Sequence, residues 1–402
     1  MPEIAEIARA VHFLRIHLVG KRIASAEAID DANVFGKVGT TGAAVAAALQ
    51  GKKVVSAGTQ GKYFWITLEK PPHLVMHFGM TGWIHIKNDK TAYTNYFKKM
   101  EDSEYTVWPP KFWKFQIKTD EKPAVEIAFT DPRRFGRVRL VDCPGEEIRK
   151  HSPLVENGPD PVVDKDRFTE EYLRGKMTSR HVPIKALLLD QTTISGIGNW
   201  VADETLYHAK MHPEQYCDDF SDAEIKTLYD TVCYVCDLAV EKLGDSDEFP
   251  EHWLFNHRWG KGTKGSSSKL PNGEKLSFIT VGGRTSCYAP AIQKKTGRVT
   301  ANAKTEPLVK EESGDEKAPP KKGRKSAGNA IKAIKDDSGD EKVPLKKDRK
   351  PTGKAVKSAT ETAPVKSKRS NPATSETSKS KKAKVEPTVD DSSRRRSGRL
   401  RK

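Results

Sequence analysis

Tyr288 is the last aromatic residue in a chain of 402, which confines any large packed core to the residues before it. The stretch beyond has no aromatic side chain with which to build a core whose burial would offset the entropy of ordering a chain, so it is expected to be disordered. From Thr300 onward there are 29 Lys and Arg against 15 Asp and Glu, a surplus of 14 within a total net charge of +16. The first 299 residues are therefore close to neutral. A short polar repeat runs through this tail: Ser313-Gly-Asp-Glu-Lys317 with Lys321-Lys-Gly-Arg-Lys325 returns as Ser338-Gly-Asp-Glu-Lys342 with Lys346-Lys-Asp-Arg-Lys350. Such a repeat reads as tail duplication rather than a solenoid. Basic clusters at 319–325, 379–384 and 394–402 suit nuclear import or phosphate contact, solvated charge being the plainer alternative for each.

Ahead of the tail, two patterns follow one another. Ile4, Ile7, Val11, Leu14 and Leu18 recur at three- and four-residue steps and predict an amphipathic helix over about residues 2–18. Short β-branched or alternating runs at 62–68, 74–78, 83–87, 112–118 and 125–129, with turns at Gln60-Gly61 and Gly79–Gly82, predict an antiparallel sandwich or barrel. After a Pro- and Gly-rich connector at 152–161 the pattern turns helical. Pro183 opens Ile184–Leu189, Asn199 is placed to cap Trp200–Lys210, and Ser221 with Glu224 forms a capping box ahead of Ile225, Leu228, Val232, Ala239 and Leu243. A mainly β half before an all-α half predicts two domains of α+β class.

The N-terminus carries no uninterrupted apolar run, and no segment approaches the roughly 18 apolar residues of a membrane span, so neither a secretory signal nor a membrane association is expected. Five cysteines are too few and too odd in number for a disulfide framework at this length, which favours a reducing intracellular compartment.

Four constellations carry candidate chemistry. Met1-Pro2-Glu3-Ile4-Ala5-Glu6 would, once Met1 is removed, present a secondary amine beside two carboxylates. An α-amino group has a pKa of ~7.7–8.0, and a secondary amine attacking a sugar C1′ gives an iminium, which can act as an electron sink. Read blandly, Pro2 and the acids are helix-start residues. Gly196-Ile-Gly198-Asn199 offers backbone N–H groups and an amide to an anion such as a DNA phosphate, or simply ends a helix. Met80, on Met76–Gly82, and Arg133 and Phe135, on Asp131–Gly136, are suited to fill the hole left by a nucleotide pulled from a duplex, against ordinary core packing. Arg284, after Gly282-Gly283, sits at a predicted hairpin tip and reads as a backbone-phosphate contact or a solvated turn residue.

Taken together and in this order, Pro2-Glu3…Glu6, Gly61-Lys62-Tyr63, His77–Met80, Asp131–Gly136 and Gly196–Asn199 resemble the formamidopyrimidine-DNA glycosylases, the Fpg branch of the Fpg/Nei repair family, over about residues 2–298. The resemblance implies an N-terminal helix plus an antiparallel β-sandwich catalytic domain at 1–150 and a linker at 151–165. It further implies a helix-two-turn-helix DNA-binding domain at 166–260 and a β-hairpin finger at 261–298, ahead of the disordered basic tail at 299–402. It implies Pro2 as nucleophile, Glu3 as the acid that assists sugar ring opening, Glu6 as a supporting acid, and Lys62 as a contact to the lesion nucleotide and its phosphates. Met80, Arg133 and Phe135 match the void-filling residues, Lys185 and Asn199 phosphate contacts, and Arg284 the finger arginine. The implied activity is bifunctional: excision of oxidised purines (formamidopyrimidines, hydantoins, with 8-oxoguanine a further candidate) and strand cleavage at the abasic site by β/δ-elimination. Damaged double-stranded DNA is the implied partner; a monomeric state, nuclear localisation and tail recruitment of repair or chromatin proteins are expected beside it.

One departure stands out. Many bacterial relatives close the finger with two CxxC pairs on zinc, whereas here the first pair has no counterpart in Trp259–Lys269, the second pair's positions read Ala289 and Ile292, and Cys287 stands alone. Cys233 and Cys236 fall within a predicted helix and lack the four ligands of a structural zinc site. The expectation is a zincless finger with no cofactor, a form the resemblance allows in plant and fungal members. The rival reading is a non-catalytic DNA- or chromatin-binding protein on a glycosylase scaffold. Against it stand Pro2, Glu3 and Lys62, which binding alone does not require.

Overall fold

The computed structural model describes residues 2–89, 91, 107–259 and 269–296. The expected tail, 299–402, and finger residues 261–268 and 297–298 lie outside the described residues.

Helix α1, Ile4–His17, opens the fold, with Glu3 at its N-cap and Glu6 Oε2 accepting the Glu3 backbone N–H at 2.9 Å. Two four-stranded antiparallel sheets follow. One has the order β1 (Ile23–Ala28), β6 (Trp113–Thr119), β7 (Glu126–Thr130), β5 (Trp83–Ile86); the other runs β2 (Val54–Gln60), β3 (Tyr63–Leu68), β4 (His73–His77), β8 (Arg137–Val141). Helix α2, Gly42–Leu49, is capped by Thr41, whose hydroxyl accepts from the Ala44 N–H. The strands foreseen at 62–68, 74–78, 83–87, 112–118 and 125–129 fall on β3 to β7. Strands β1, β2 and β8 were not among the foreseen runs; in β1, Ala24, Ala26 and Ala28 give a weak strand signature, so its pairing with β6 decides its conformation.

Alternation along β3 and β4 sorts two environments. Phe64, Ile66, Leu74 and Met76 face the core between the sheets, joined there by Phe78, Trp83, Phe115 and Phe129. Trp65 and Val75 face the opposite way, into a smaller cluster with Ile148 and Leu154.

The helical part comprises α3 (Glu170–Thr178), α4 (Ile184–Leu189), α5 (Asn199–His208) and α6 (Asp222–Glu241). Ser221 and Glu224 form the expected capping box on α6, and Ile225, Leu228, Val232 and Ala239 are buried along its inner face. Two placements differ from the sequence reading: Pro183 is the N-cap of α4, and Asn199 begins α5 behind an N-cap at Gly198, its own side chain capping nothing. Strands β9 (Ser277–Val281) and β10 (Arg284–Tyr288) form a hairpin with its own small core of Leu254, Leu270, Leu276, Cys287 and Ala289. No helix among the described residues is long and apolar enough to cross a membrane.

α1 joins the two halves. Ile7, Val11 and Leu14 enter the sheet core, while Ile4 and Ala5 enter the helical core beside Ile197 and Val201. Burying a side chain such as Leu14 contributes roughly 1.5–3 kcal/mol, so the first turn is held from both sides.

Candidate active site

Glu3 is 2% exposed, and its carboxylate lies on the first turn of α5. Oε2 accepts the backbone N–H of Gly198 at 2.9 Å and of Val201 at 3.1 Å; Oε1 accepts that of Trp200 at 3.1 Å. A helix start leaves such donors without intrahelical partners, and its dipole favours an anion. The two glycines make the approach possible. A Cβ on Gly198 would lie 2.2 Å from Glu3 Cδ, and one on Gly196, at φ +99°, would meet Ile4 Cδ1 at 2.9 Å. The Gly196 carbonyl accepts the Ile4 N–H at 3.1 Å. The anion held by this turn's N–H groups is thus the Glu3 carboxylate, where the sequence reading placed a phosphate.

Lys62 follows the left-handed Gly61 at the β2–β3 turn and is 7% exposed. Burial depresses its ammonium below the ordinary lysine range; the charge of Glu3 raises it, that of Arg284 lowers it, and that of Glu6 raises it. The four groups therefore converge from three chain segments. The turn is gripped by the linker: Gly61 N donates to Asp160 Oδ2 at 2.6 Å, and Arg149 bridges Gln60 Oε1 at 3.0 Å and the Asp164 carboxylate at 2.6–2.7 Å. Glu6 is pushed up to about 7, first by burial and then by the nearby Glu3 charge. Pro2 is buried directly ahead of Glu3.

Gly282 and Gly283, both at positive φ, form the two-residue turn of the β9–β10 hairpin and put Arg284 at its tip. Asn199 Nδ2 donates to the Thr285 carbonyl at 3.0 Å, stitching the hairpin to α5. Lys185 is a correction. It is 0% exposed, with Nζ bonded to Asp203, so it faces the interior and is not available to a phosphate. Asp203 also accepts Arg258 Nη2 at 2.5 Å and the Cys287 backbone N–H at 3.0 Å. The hairpin residues present do not fit a zinc ion: Cys287 has its thiol buried and its backbone committed to Asp203. Among the described residues no group of three or more His, Cys, Asp or Glu could hold a metal.

The turns at 78–82 and 131–136 touch backbone to backbone: a Cβ on Gly79 would lie 2.4 Å from the Phe135 carbonyl carbon. Asp131, fully buried, ties them by accepting Gly136 N at 2.6 Å, Arg133 N at 3.1 Å and Thr81 Oγ1 at 2.8 Å. Phe135 is 46% exposed with the Arg133 guanidinium 5.1 Å from its ring centroid, which removes the core-packing reading of Phe135; Met80 is half-buried on the adjoining turn. Arg134 turns away onto Asp31.

Glu3, Glu6, Lys62 and Arg284 thus form one cluster, and Met80, Arg133 and Phe135 a second on adjoining turns. Of the residues that position them, Asp131 heads a motif already visible in the sequence, whereas Asp160 and Asp203 carry no sequence signal of their own, because they act on groups far away in the chain, Gly61 N for Asp160 and Lys185, Arg258 and Cys287 for Asp203.

Comparison with known proteins adds a separate line. A family model described as the formamidopyrimidine-DNA glycosylase N-terminal domain matches residues 1–138, and one described as the formamidopyrimidine-DNA glycosylase H2TH domain matches residues 157–250. The formamidopyrimidine-DNA glycosylase of Arabidopsis thaliana is 38% identical over 302 residues, 74% of this chain and 72% of that protein. The enzyme of the same name from Desulfitobacterium hafniense is 30% identical over 298 residues, 73% of this chain and 100% of that protein. The crystal structure of Lactococcus lactis formamidopyrimidine-DNA glycosylase bound non-covalently to DNA containing an AP site superposes with a TM-score of 0.58 at 23% identity, covering 73% of this chain and 100% of that one.

Proposed function

Because this chain belongs to the formamidopyrimidine-DNA glycosylase family, and is a glycosylase of oxidised-base repair, we propose that it excises oxidised purines from duplex DNA through a Pro2 iminium and then cleaves the strand. The observation that carries this reading is the Glu3 carboxylate clamped on α5 directly beside Pro2, with the Lys62 ammonium in electrostatic reach. With Met1 removed, the Pro2 nitrogen forms a bond to C1′ as the bond from C1′ to the base breaks, the base taking a proton from water and the Pro2 N–H proton passing to the Glu3 carboxylate. Glu3 then delivers that proton to O4′ as the sugar ring opens, which leaves the iminium between Pro2 and C1′ and returns Glu3 to the carboxylate. Loss of a C2′ proton drives β-elimination and releases the 3′ phosphate; δ-elimination releases the 5′ phosphate.

Lys62 and Arg284 contribute the fixed positive charge that a dianionic sugar-phosphate stretch needs, and Asn199 adds an amide at the same edge. Met80, Arg133 and Phe135 fill the gap left by the everted nucleotide. The tail supplies sequence-independent attraction to DNA and a nuclear address, and the finger works without zinc.

Borohydride trapping of the untagged protein on DNA bearing an abasic site, a formamidopyrimidine or a hydantoin tests the reading. An adduct mapping to Pro2, lost in Pro2→Gly and reduced in Glu3→Gln, is expected. Good binding with no adduct would sink it and leave a DNA-binding protein on this scaffold.

A further inference from the structure

The turn that bears Arg133 and Phe135 is fastened at two places, and the second fastening is a carboxylate a hundred residues away in the chain. Arg134 lies between the two wedge residues with φ +60°, a left-handed conformation that a residue with a side chain disfavours. Its guanidinium donates from Nε to Asp31 Oδ2 at 2.8 Å and from Nη2 to Asp31 Oδ1 at 3.1 Å, a two-pronged pairing of planar groups. An arginine at the rim of a DNA-binding surface is ordinarily a phosphate contact, whereas this one has both prongs on a carboxylate.

Asp31 is itself anchored. It follows β1, is 7% exposed, and accepts Lys114 Nζ at 2.9 Å from near the start of β6. Its Oδ1 also accepts the N–H groups of Asn33 at 2.9 Å and Val34 at 3.2 Å, and the Val34 carbonyl accepts the Val138 N–H at 3.2 Å, on β8 just beyond the wedge turn. Burial raises the Asp31 carboxyl, but the hydrogen bonds of Arg134, Lys114, Val34 and Asn33 outweigh it and hold the group below the usual carboxylate range, so it is charged at physiological pH. Asp131 fixes the turn through the N–H groups of Arg133 and Gly136, and Asp31 holds the strained residue between them.

We propose that Asp31 is a positioning residue for the wedge: through Arg134 it holds the 131–136 turn in the conformation that presents Arg133 and Phe135 before DNA arrives, so that both enter the gap without a further ordering step. Arg134 accordingly serves the turn and not the DNA backbone. The proposal rests on the reading that Met80, Arg133 and Phe135 fill the place of an everted nucleotide. Without this pin, residue 134 is free to leave the left-handed region, and the population of the competent turn falls about tenfold.

The full chain should be mixed rapidly with duplex bearing a tetrahydrofuran abasic analogue beside 2-aminopurine, whose fluorescence rises when insertion unstacks it. Asp31→Asn keeps an acceptor for the Asn33 and Val34 N–H groups and removes the charge; it is expected to slow the rise about tenfold while the slope of log K against log salt stays unchanged. Arg134→Ala should be slowed to the same extent. Arg134→Gly, which takes a positive φ freely, should keep most of the wild-type rate, and adding Asp31→Asn to it should slow it no further, because Asp31 acts through Arg134. If Arg134→Ala and Arg134→Gly are slowed equally and each lowers the salt slope by about 1, Arg134 is a phosphate contact and the proposal falls. A folded Asp31→Asn variant that inserts at the wild-type rate also overturns it. If Asp31→Asn unfolds, the Arg134 pair decides: unequal rates at an unchanged slope support the pin, and equal rates overturn it. Borohydride trapping of the wild type separates the two readings. A wild type that traps, beside an Asp31→Asn variant of unaltered insertion rate, removes the pin alone. A wild type that never traps but shows the Asp31-dependent rise removes the catalytic reading and keeps the pin, and one with no rise removes the wedge and the pin with it.

Discussion

The ammonium of Lys185 is bonded to the carboxylate of Asp203 in the interior, with neither side chain exposed at all. The second Asp203 oxygen takes Arg258 and the Cys287 N–H, so one carboxylate joins α4, α5, the segment after α6 and the hairpin that carries Arg284. Asp203→Ala leaves two buried cations facing each other. The expected loss is about 3–5 kcal/mol of stability in denaturant unfolding, with a smaller loss for Asp203→Asn, which keeps an acceptor. Equal stability in all three proteins would mean that the hub is not what holds the hairpin.

A methyl group at Gly198 should act on Glu3 alone. Its Cβ would fall 2.2 Å from Glu3 Cδ, at an ordinary negative φ of −119°, so the damage is steric and directed at the carboxylate. Gly198→Ala is expected to slow trapping on abasic-site DNA by about 100-fold, the scale of losing one well-placed proton donor, with affinity for the tetrahydrofuran duplex changed by only about threefold. Single-turnover trapping beside equilibrium binding checks the split.

The contrast between Glu3 and Lys185 shows how far the sequence could be read. Glu3, Glu6, Lys62 and the wedge residues lie on local patterns: an amphipathic helix, a glycine turn, two tight turns at strand ends. Their elements were legible because the period and the turn chemistry sit in consecutive residues. Lys185 and the N–H groups of the Gly196–Asn199 turn looked available for phosphate, and in the fold they are consumed by Asp203 and Glu3. Nothing in a linear pattern distinguishes a lysine that reaches solvent from one closed over by a hairpin some hundred residues later. Strand β1 was hidden for the related reason that its alanines gain their conformation from β6.

Phe135 separates binding from stability. At 46% exposure it contributes little to the core, so Phe135→Ala should change unfolding free energy by only about 0.5 kcal/mol. If its ring fills the vacated base position, the same change forfeits roughly 1–3 kcal/mol of stacking and weakens binding to lesion duplex about 5- to 150-fold, with a much smaller effect on undamaged duplex. Equal loss on both duplexes would remove the void-filling role.

The tail's surplus of 14 positive charges over the neutral first 299 residues predicts a division of labour. A chain ending at residue 299 should bind DNA more weakly at low salt and with a flatter salt slope, because fewer counterions are released. With enzyme in excess it should still form the trapped adduct at the full chain's rate. Loss of trapping under those conditions would place part of the catalytic fold beyond residue 299.

Glu6 gives the pH dependence its sign. Burial first, then the Glu3 charge, raises its carboxyl from the ordinary 4.5 to about 7, so between these values the folded protein holds a proton that the unfolded chain has released. The stability Glu6 contributes is therefore full below pH 4.5, falls as pH rises through 7, and levels off above it. Glu6→Gln keeps an acceptor for the Glu3 N–H and removes the titration, so the variant should gain stability relative to wild type across that window. The same ionisation sets the local charge beside the Pro2 amine, and the trapping rate of the wild type should rise with pH through about 7. In Glu6→Gln that inflection should vanish while the contribution of the amine, at ~7.7–8.0, remains. A wild-type profile without an inflection near 7, or one that Glu6→Gln leaves in place, would show that Glu6 is not the group titrating beside the nucleophile.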